Sequence, residues 1–142
     1  MPTNSPLFVD TSGWAEQIVQ NQPTHLAILR TYRMAIAQQR PLMTTNYIMT
    51  ELVALLETRA RLSRADLFRF VDAIHAIPHL TMIHVDVVTH AAAWDLLKAR
   101  PDKIWSLVDA SSFVLMTQRG ISEALTTDHH FSQAGFVRVP GE

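Results

Sequence analysis

Between Ile104 and Gln118 the chain carries a single charge, Asp109, set in the run Ile-Trp-Ser-Leu-Val-Asp-Ala-Ser-Ser-Phe-Val-Leu-Met. Its neighbours are apolar or small, so a helix built from this segment is largely buried. An unpaired buried carboxylate costs several kcal/mol or takes up a proton, so Asp109 requires a partner. A metal ion, an Arg or Lys, or a polar cluster at a cleft would each serve. Asp10 and Asp128 each follow a short apolar run, Leu7–Val9 and Ala124–Thr127, and each precedes a helix start. In open parallel sheets ligands bind outside the carboxyl ends of the strands, so these two carboxylates are candidates for one site. Glu51 borders the inward stripe formed by Tyr47, Ile48, Leu52 and Leu55. Each residue also has a plainer reading. Asp10 and Asp128 suit helix N-caps, Glu51 suits a solvated helix face, and Asp109 suits a buried ion pair with Arg119 or Lys103.

Taken together, the four carboxylates point to a metal. Mg²⁺ and Mn²⁺ are hard cations that prefer carboxylate and water oxygens. Four carboxylates in one pocket repel each other and resist ionisation unless cations lie between them. Such a site can activate water and stabilise the charge that develops during phosphodiester displacement. Thr11, Ser12, Ser112 and Thr127 are polar neighbours suited to support the carboxylates.

Other chemistries have weaker support. The chain has no cysteine, which excludes disulfides, thiolate nucleophiles and cysteine-ligated metals. Ser12 lacks the Gly-x-Ser-x-Gly elbow, and four glycines leave no phosphate-binding loop. Seven histidines suggest zinc, but Pro78 breaks the helix that would align His75 with His79, and the adjacent His129 and His130 are expected to diverge. His130 is close enough to Asp128 in sequence to lie near the acidic pocket, but it reads better as a plain residue of a helical turn. Trp14, Trp105 and Tyr32 suit core packing better than base stacking. Arg59, Arg61 and Arg64 cluster at a turn where solvent, RNA phosphate or an acidic partner would all fit.

Strands are expected at Leu7–Val9, Leu42–Thr45, Leu80–Val85, Ala124–Thr127 and Phe136–Val139. Pro23 opens a helix carrying Leu26, Leu29, Met34 and Ile36. Thr45 or Asn46 caps a helix containing Glu51. Ser63 and Asp66 open one with Leu67, Phe70, Val71 and Ile74 on a common face. Asp86 caps a helix through Ala91, Trp94 and Leu97. Pro101 separates that helix from the one that places Asp109 in its interior. Alternating strands and helices predict a three-layer α/β/α sandwich around a mainly parallel sheet of four or five strands.

The 142 residues fit one domain, spanning residues 1–142, with its own core. With 48% hydrophobic residues and a formal net charge of -1, the chain lacks the basic footprint of a duplex-DNA reader. A nuclease whose acidic site is neutralised by metal remains compatible with that charge. Met1-Pro2-Thr3-Asn4-Ser5-Pro6 shows no signal-peptide pattern, and no apolar run approaches a membrane span. The expectation is a cytoplasmic protein.

The sequence also resembles a known family. Val9-Asp10-Thr11-Ser12, Thr45-Asn46-Tyr47 leading to Glu51, Ser106 through Phe113, and Leu125-Thr126-Thr127-Asp128 with His130-Phe131 and Ala134-Gly135-Phe136 are similar to PIN-domain proteins. The closest likeness is to VapC-type toxin ribonucleases, and it runs in order along nearly the whole chain. It implies a Mg²⁺- or Mn²⁺-dependent endoribonuclease, the toxin of a type II toxin–antitoxin pair, that hydrolyses RNA with metal-activated water. It implies that Asp10, Asp109 and Asp128 are metal ligands and that Glu51 acts through water. It further implies a small cognate antitoxin and a homodimer. Two alternatives are a receiver-like Mg²⁺-binding signalling module and a PIN-fold interaction module without turnover. A receiver would need a lysine near the acidic site, and the only lysines, Lys98 and Lys103, fall on or beside helices.

Overall fold

A computed structural model describes residues 5–141; the sequence reading of Met1 to Asn4 lies outside the described residues. Leu7–Val9 forms β1, and all three side chains are fully buried. A strand covered on both faces reads as a continuous apolar run rather than an alternation. It lies between β2 (Leu42–Thr45) and β4 (Glu123–Leu125), with β3 (Leu80–Ile83) outside β2 and β5 (Val137–Val139) outside β4. Every pairing is parallel, and Phe8 stands opposite Met43 on one side and Ala124 on the other. The order β3-β2-β1-β4-β5 makes the chain leave β1 toward one edge and return beyond it. The crevice between the ends of β1 and β4 is therefore a topological switch point.

Helices cross between these strands. α1 (Thr11–Ala15) and α2 (His25–Ala37) join β1 to β2, and α3 (Asn46–Leu55) with a π-helical turn at Leu56–Ala60 and α4 (Arg64–His75) join β2 to β3. α5 (Val87–Ala99) and α6 (Leu107–Arg119) precede β4, and the short α7 (His130–Gln133) precedes β5. The expected caps form: Thr45, Ser63 and Asp86 accept from the backbone N–H groups of Ile48, Asp66 and Thr89.

Two local expectations change. In α2 the buried residues are Ile28 and Ala35, whereas Leu26 and Met34 are more than half exposed. Apolar residues lie on both sides of this helix, and packing of Tyr32 edge-on against Trp14 sets its phase. Asp109 is also not interior to its helix. It occupies the third position of α6 and forms a capping box with Ser106. Trp14 and Trp105 are buried, as their core reading requires.

Gly13 permits the close packing that this crevice needs. A Cβ there would fall 2.3 Å from the Leu125 carbonyl oxygen and 3.1 Å from Val9 Cγ1. α1 can thus lie directly on the end of β4, which keeps Asp10 and Ser12 beside Thr126.

Candidate metal centre

Asp10 leaves β1 and is almost fully buried, at 4% exposure. It stands at the N-cap position of α1 without making a side-chain cap, so capping does not account for it. Burial pushes its carboxyl up to about 7. Hydrogen bonds from the Thr11 backbone and the Thr126 hydroxyl oppose that rise, while the charges of Asp109 and Glu51 add to it. Glu51, half-buried on α3, is also raised, chiefly by burial and further by Asp109 and Asp128. The Thr11 hydroxyl donates to Glu51 Oε1 at 2.5 Å. The four carboxylates thus feel one another across β1, α3, α6 and the segment after β4.

Thr126 is the hub that holds this edge together, and sequence reading assigned it no role. Its hydroxyl donates to Asp10 Oδ2 at 2.9 Å and accepts from the Asp128 backbone at 3.0 Å. That single proton is committed to Asp10, so Ser12 is the donor in the 3.0 Å contact between the two hydroxyls. Ser12 in turn accepts from the Thr127 backbone at 2.9 Å. The Thr127 side chain turns away and donates to Glu16. Arg59 lines a cavity of about 220 Å³ beside Ser12 and Glu16.

Asp109 is 7% exposed and needs neither Arg119 nor Lys103. Its Oδ2 accepts from the Ser106 backbone at 3.0 Å and lies 2.9 Å from His130 Nδ1. The positive end of the α6 dipole favours the same charge. The spacing Ser106-x-x-Asp109 is itself a capping signal and could have revealed this position. His130 was undervalued for a different reason. Its contact with Asp109 joins segments distant in sequence, and only its nearness to Asp128 hinted at it. His129 and His130 do not diverge: their ring centroids are 4.6 Å apart, and both Nδ1 atoms approach Asp128 Oδ1, at 3.8 and 3.3 Å.

The donor set suits a divalent cation. Asp128, His129 and His130 present ligand atoms within 4.8 Å of one another, and no trio of the four carboxylates is that compact among the described residues. Ser112, one turn beyond Asp109, is an orphaned polar group of the same helix. Its hydroxyl is fully buried and has no hydrogen-bond partner among the described residues, a state that costs about 1–3 kcal/mol in a dry interior. The two lysines are engaged elsewhere, Lys98 near Asp95 and Lys103 near Asp102, which leaves the receiver alternative without its required cation. No helix among the described residues is long and apolar enough to cross a membrane.

Comparison with known proteins identifies the family. The PIN domain family model matches residues 7–137. The 23S rRNA-specific endonuclease VapC20 of Mycobacterium tuberculosis, in each of two strains, is 34% identical over 140 residues, covering 96% of this chain and 99% of the relative. The crystal structure of Mycobacterium tuberculosis VapC20, described as a sarcin-ricin loop cleaving toxin, matches with a TM-score of 0.80 and 30% identity. That match covers 92% of this chain and 96% of the other. With its five-stranded parallel sheet and the acidic edge at its switch point, the chain belongs to the PIN-domain family, among the VapC-type toxin ribonucleases.

Proposed function

We propose that this chain is a single-domain endoribonuclease toxin that uses Mg²⁺, with Mn²⁺ as a substitute, and that its substrate is the sarcin–ricin loop of 23S ribosomal RNA. The observation that carries the reading is the convergence of Asp10, Glu51, Asp109 and Asp128 on one sheet edge, where Asp10 is buried and has no cationic partner among the described residues. The substrate is taken from the likeness to VapC20 over nearly the full length of both chains.

In this reading Asp10 and Asp109 are the principal metal ligands, Asp128 completes the site, and Glu51 acts through water. When bound, the divalent cation supplies a more acidic water and a counter-charge for the phosphodiester. Thr126 and Thr11 fix the rotamers of Asp10 and Glu51, and the Ser12–Thr126 hydroxyl pair keeps one proton directed at Asp10 Oδ2. No side chain here forms a covalent intermediate. The reading also places the protein in the cytoplasm with its RNA, as a homodimer controlled by a small antitoxin. Leu26 and Met34 on α2, and Val87, Val88 and Trp94 on α5, supply exposed apolar surface for such contacts.

The deciding experiment uses purified protein, freed of any antitoxin, and a sarcin–ricin-loop hairpin. Cleavage is expected with Mg²⁺ or Mn²⁺, none with EDTA, and none with Asp109→Asn at unchanged circular dichroism. Cleavage by the variant at the wild-type rate would remove the acidic edge from the mechanism. Cleavage of other RNAs with the hairpin left intact would overturn the substrate.

A further inference from the structure

We propose that His130 is a positioning residue that clamps Asp109 and Asp128 together and fixes which oxygen of each faces the metal site. The inference rests on the reading of the acidic edge as a divalent-metal centre. Asp109 comes from the first turn of α6 and Asp128 from the segment after β4. His130 contacts both. Its ring Nδ1 lies 2.9 Å from Asp109 Oδ2 and 3.3 Å from Asp128 Oδ1, and its backbone N–H donates to Asp128 Oδ1 at 2.9 Å. Each aspartate is therefore held through one oxygen. Asp109 Oδ1 and Asp128 Oδ2 make no hydrogen bond among the described residues.

The geometry commits Nδ1 to the two carboxylates. An Nδ1 within hydrogen-bond reach of two acceptor-only carboxylates carries its proton toward them, and a protonated ring nitrogen has no lone pair for a metal. The ring is held firmly in place. Phe131, the next residue, is fully buried and packs edge-on against Phe113 of α6 at 5.0 Å, and Trp105 donates to Gln133 at 3.0 Å. A four-residue helix is thereby fixed to the base of α6, and the imidazole is presented in one orientation. Without it, Asp109 keeps its Ser106 contact and Asp128 its backbone contact, but no side chain bridges the two like-charged carboxylates. Groups that orient metal ligands in this way are typically worth about 10–100-fold in metal affinity.

The test is Mn²⁺ binding by isothermal titration calorimetry, with pulsed EPR of the bound ion. His130→Ala should weaken binding about tenfold or more. His130→Asn, whose amide N–H sits near the Nδ1 position, should restore most of it, whereas His130→Gln, with its amide further out, should not. The asparagine–glutamine pair preserves the test if the alanine variant does not fold. Histidine-nitrogen coupling to the bound Mn²⁺ should be the same in the wild type and in His130→Asn. Loss of a nitrogen coupling in His130→Asn, equal affinity in all variants, or asparagine no better than glutamine would each overturn the clamp. If Asp109→Asn binds Mn²⁺ as tightly as the wild type, the metal-centre reading fails instead.

Discussion

Two groups of carboxylates in this molecule have opposite electrostatics. Asp66, Asp86 and Asp102 are fully solvated, and each is held below the usual carboxylate range by a partner: Arg69, the Thr89 backbone N–H and Arg100 respectively. Asp10 and Glu51, at the switch point, are raised, first by burial and then by neighbouring carboxylates. Outside, acidic residues cap helices and pair with arginines, so each charge is met locally. Inside, hydroxyls and backbone N–H groups orient the carboxylates without cancelling their charge. A protein that keeps such an edge trades stability for an electrostatic demand that a cation satisfies.

The comparison breaks most sharply at Asp10. Asp10→Asn should reduce RNA cleavage by about a thousandfold or more. The same change should raise the melting temperature of the metal-free protein, because it removes a buried charge while leaving an acceptor for the Thr126 hydroxyl. Loss of activity together with gain of stability marks a site residue. A variant that loses both would mean that Asp10 is a structural carboxylate.

How much of this was visible in the sequence depends on the range of the interaction. Strands β1 to β5 were legible because short apolar runs end at polar punctuation. The caps at Thr45, Ser63 and Asp86 were legible because a cap is a contact between residues three apart. The four carboxylates stood out through their setting, Asp109 most of all. The Thr126 hub and the His130 contact with Asp109 were not legible, since both join segments that only the parallel topology brings together. The α2 phase was ambiguous because Leu26 and Met34 offer an apolar face that the fold leaves outside. The position of Asp109 in α6 was misjudged although Ser106 three residues earlier carried the signal.

The second prediction sets the two populations against each other in pH. Asp10 binds its proton more tightly in the folded state, with a value of about 7 against an ordinary 3.8. The stability it contributes is complete below about pH 4 and is lost as pH rises through about 7. Glu51 acts in the same direction. Asp66, Asp86 and Asp102 act oppositely, since their contribution is present above the ordinary carboxylate value and lost as pH falls through their lowered ones. Melting of the metal-free protein should therefore peak near about pH 4 and decline toward about pH 7. Millimolar Mg²⁺ should flatten the alkaline side by stabilising ionised carboxylates in the folded state. An alkaline limb that is unchanged by Mg²⁺, or absent in the metal-free protein, would detach Asp10 from the cation.

The smallest effect expected comes from Asp86, the outer counterpart of Asp10. Both precede a helix, yet Asp86 accepts from the Thr89 N–H at 2.8 Å and caps α5, whereas Asp10 makes no cap at all. Asp86→Ala should lower the melting temperature by a few degrees at most, since it removes one solvated cap. Cleavage rate and Mn²⁺ affinity should not move, because none of the charges that raise Asp10 or Glu51 comes from Asp86. A loss of cleavage comparable with that of Asp10→Asn would show that α5 communicates with the acidic edge and that position alone does not separate the two populations. Unchanged cleavage with a lower melting temperature, set beside the reverse pattern at Asp10, would separate a carboxylate kept for the helix from one kept for the metal.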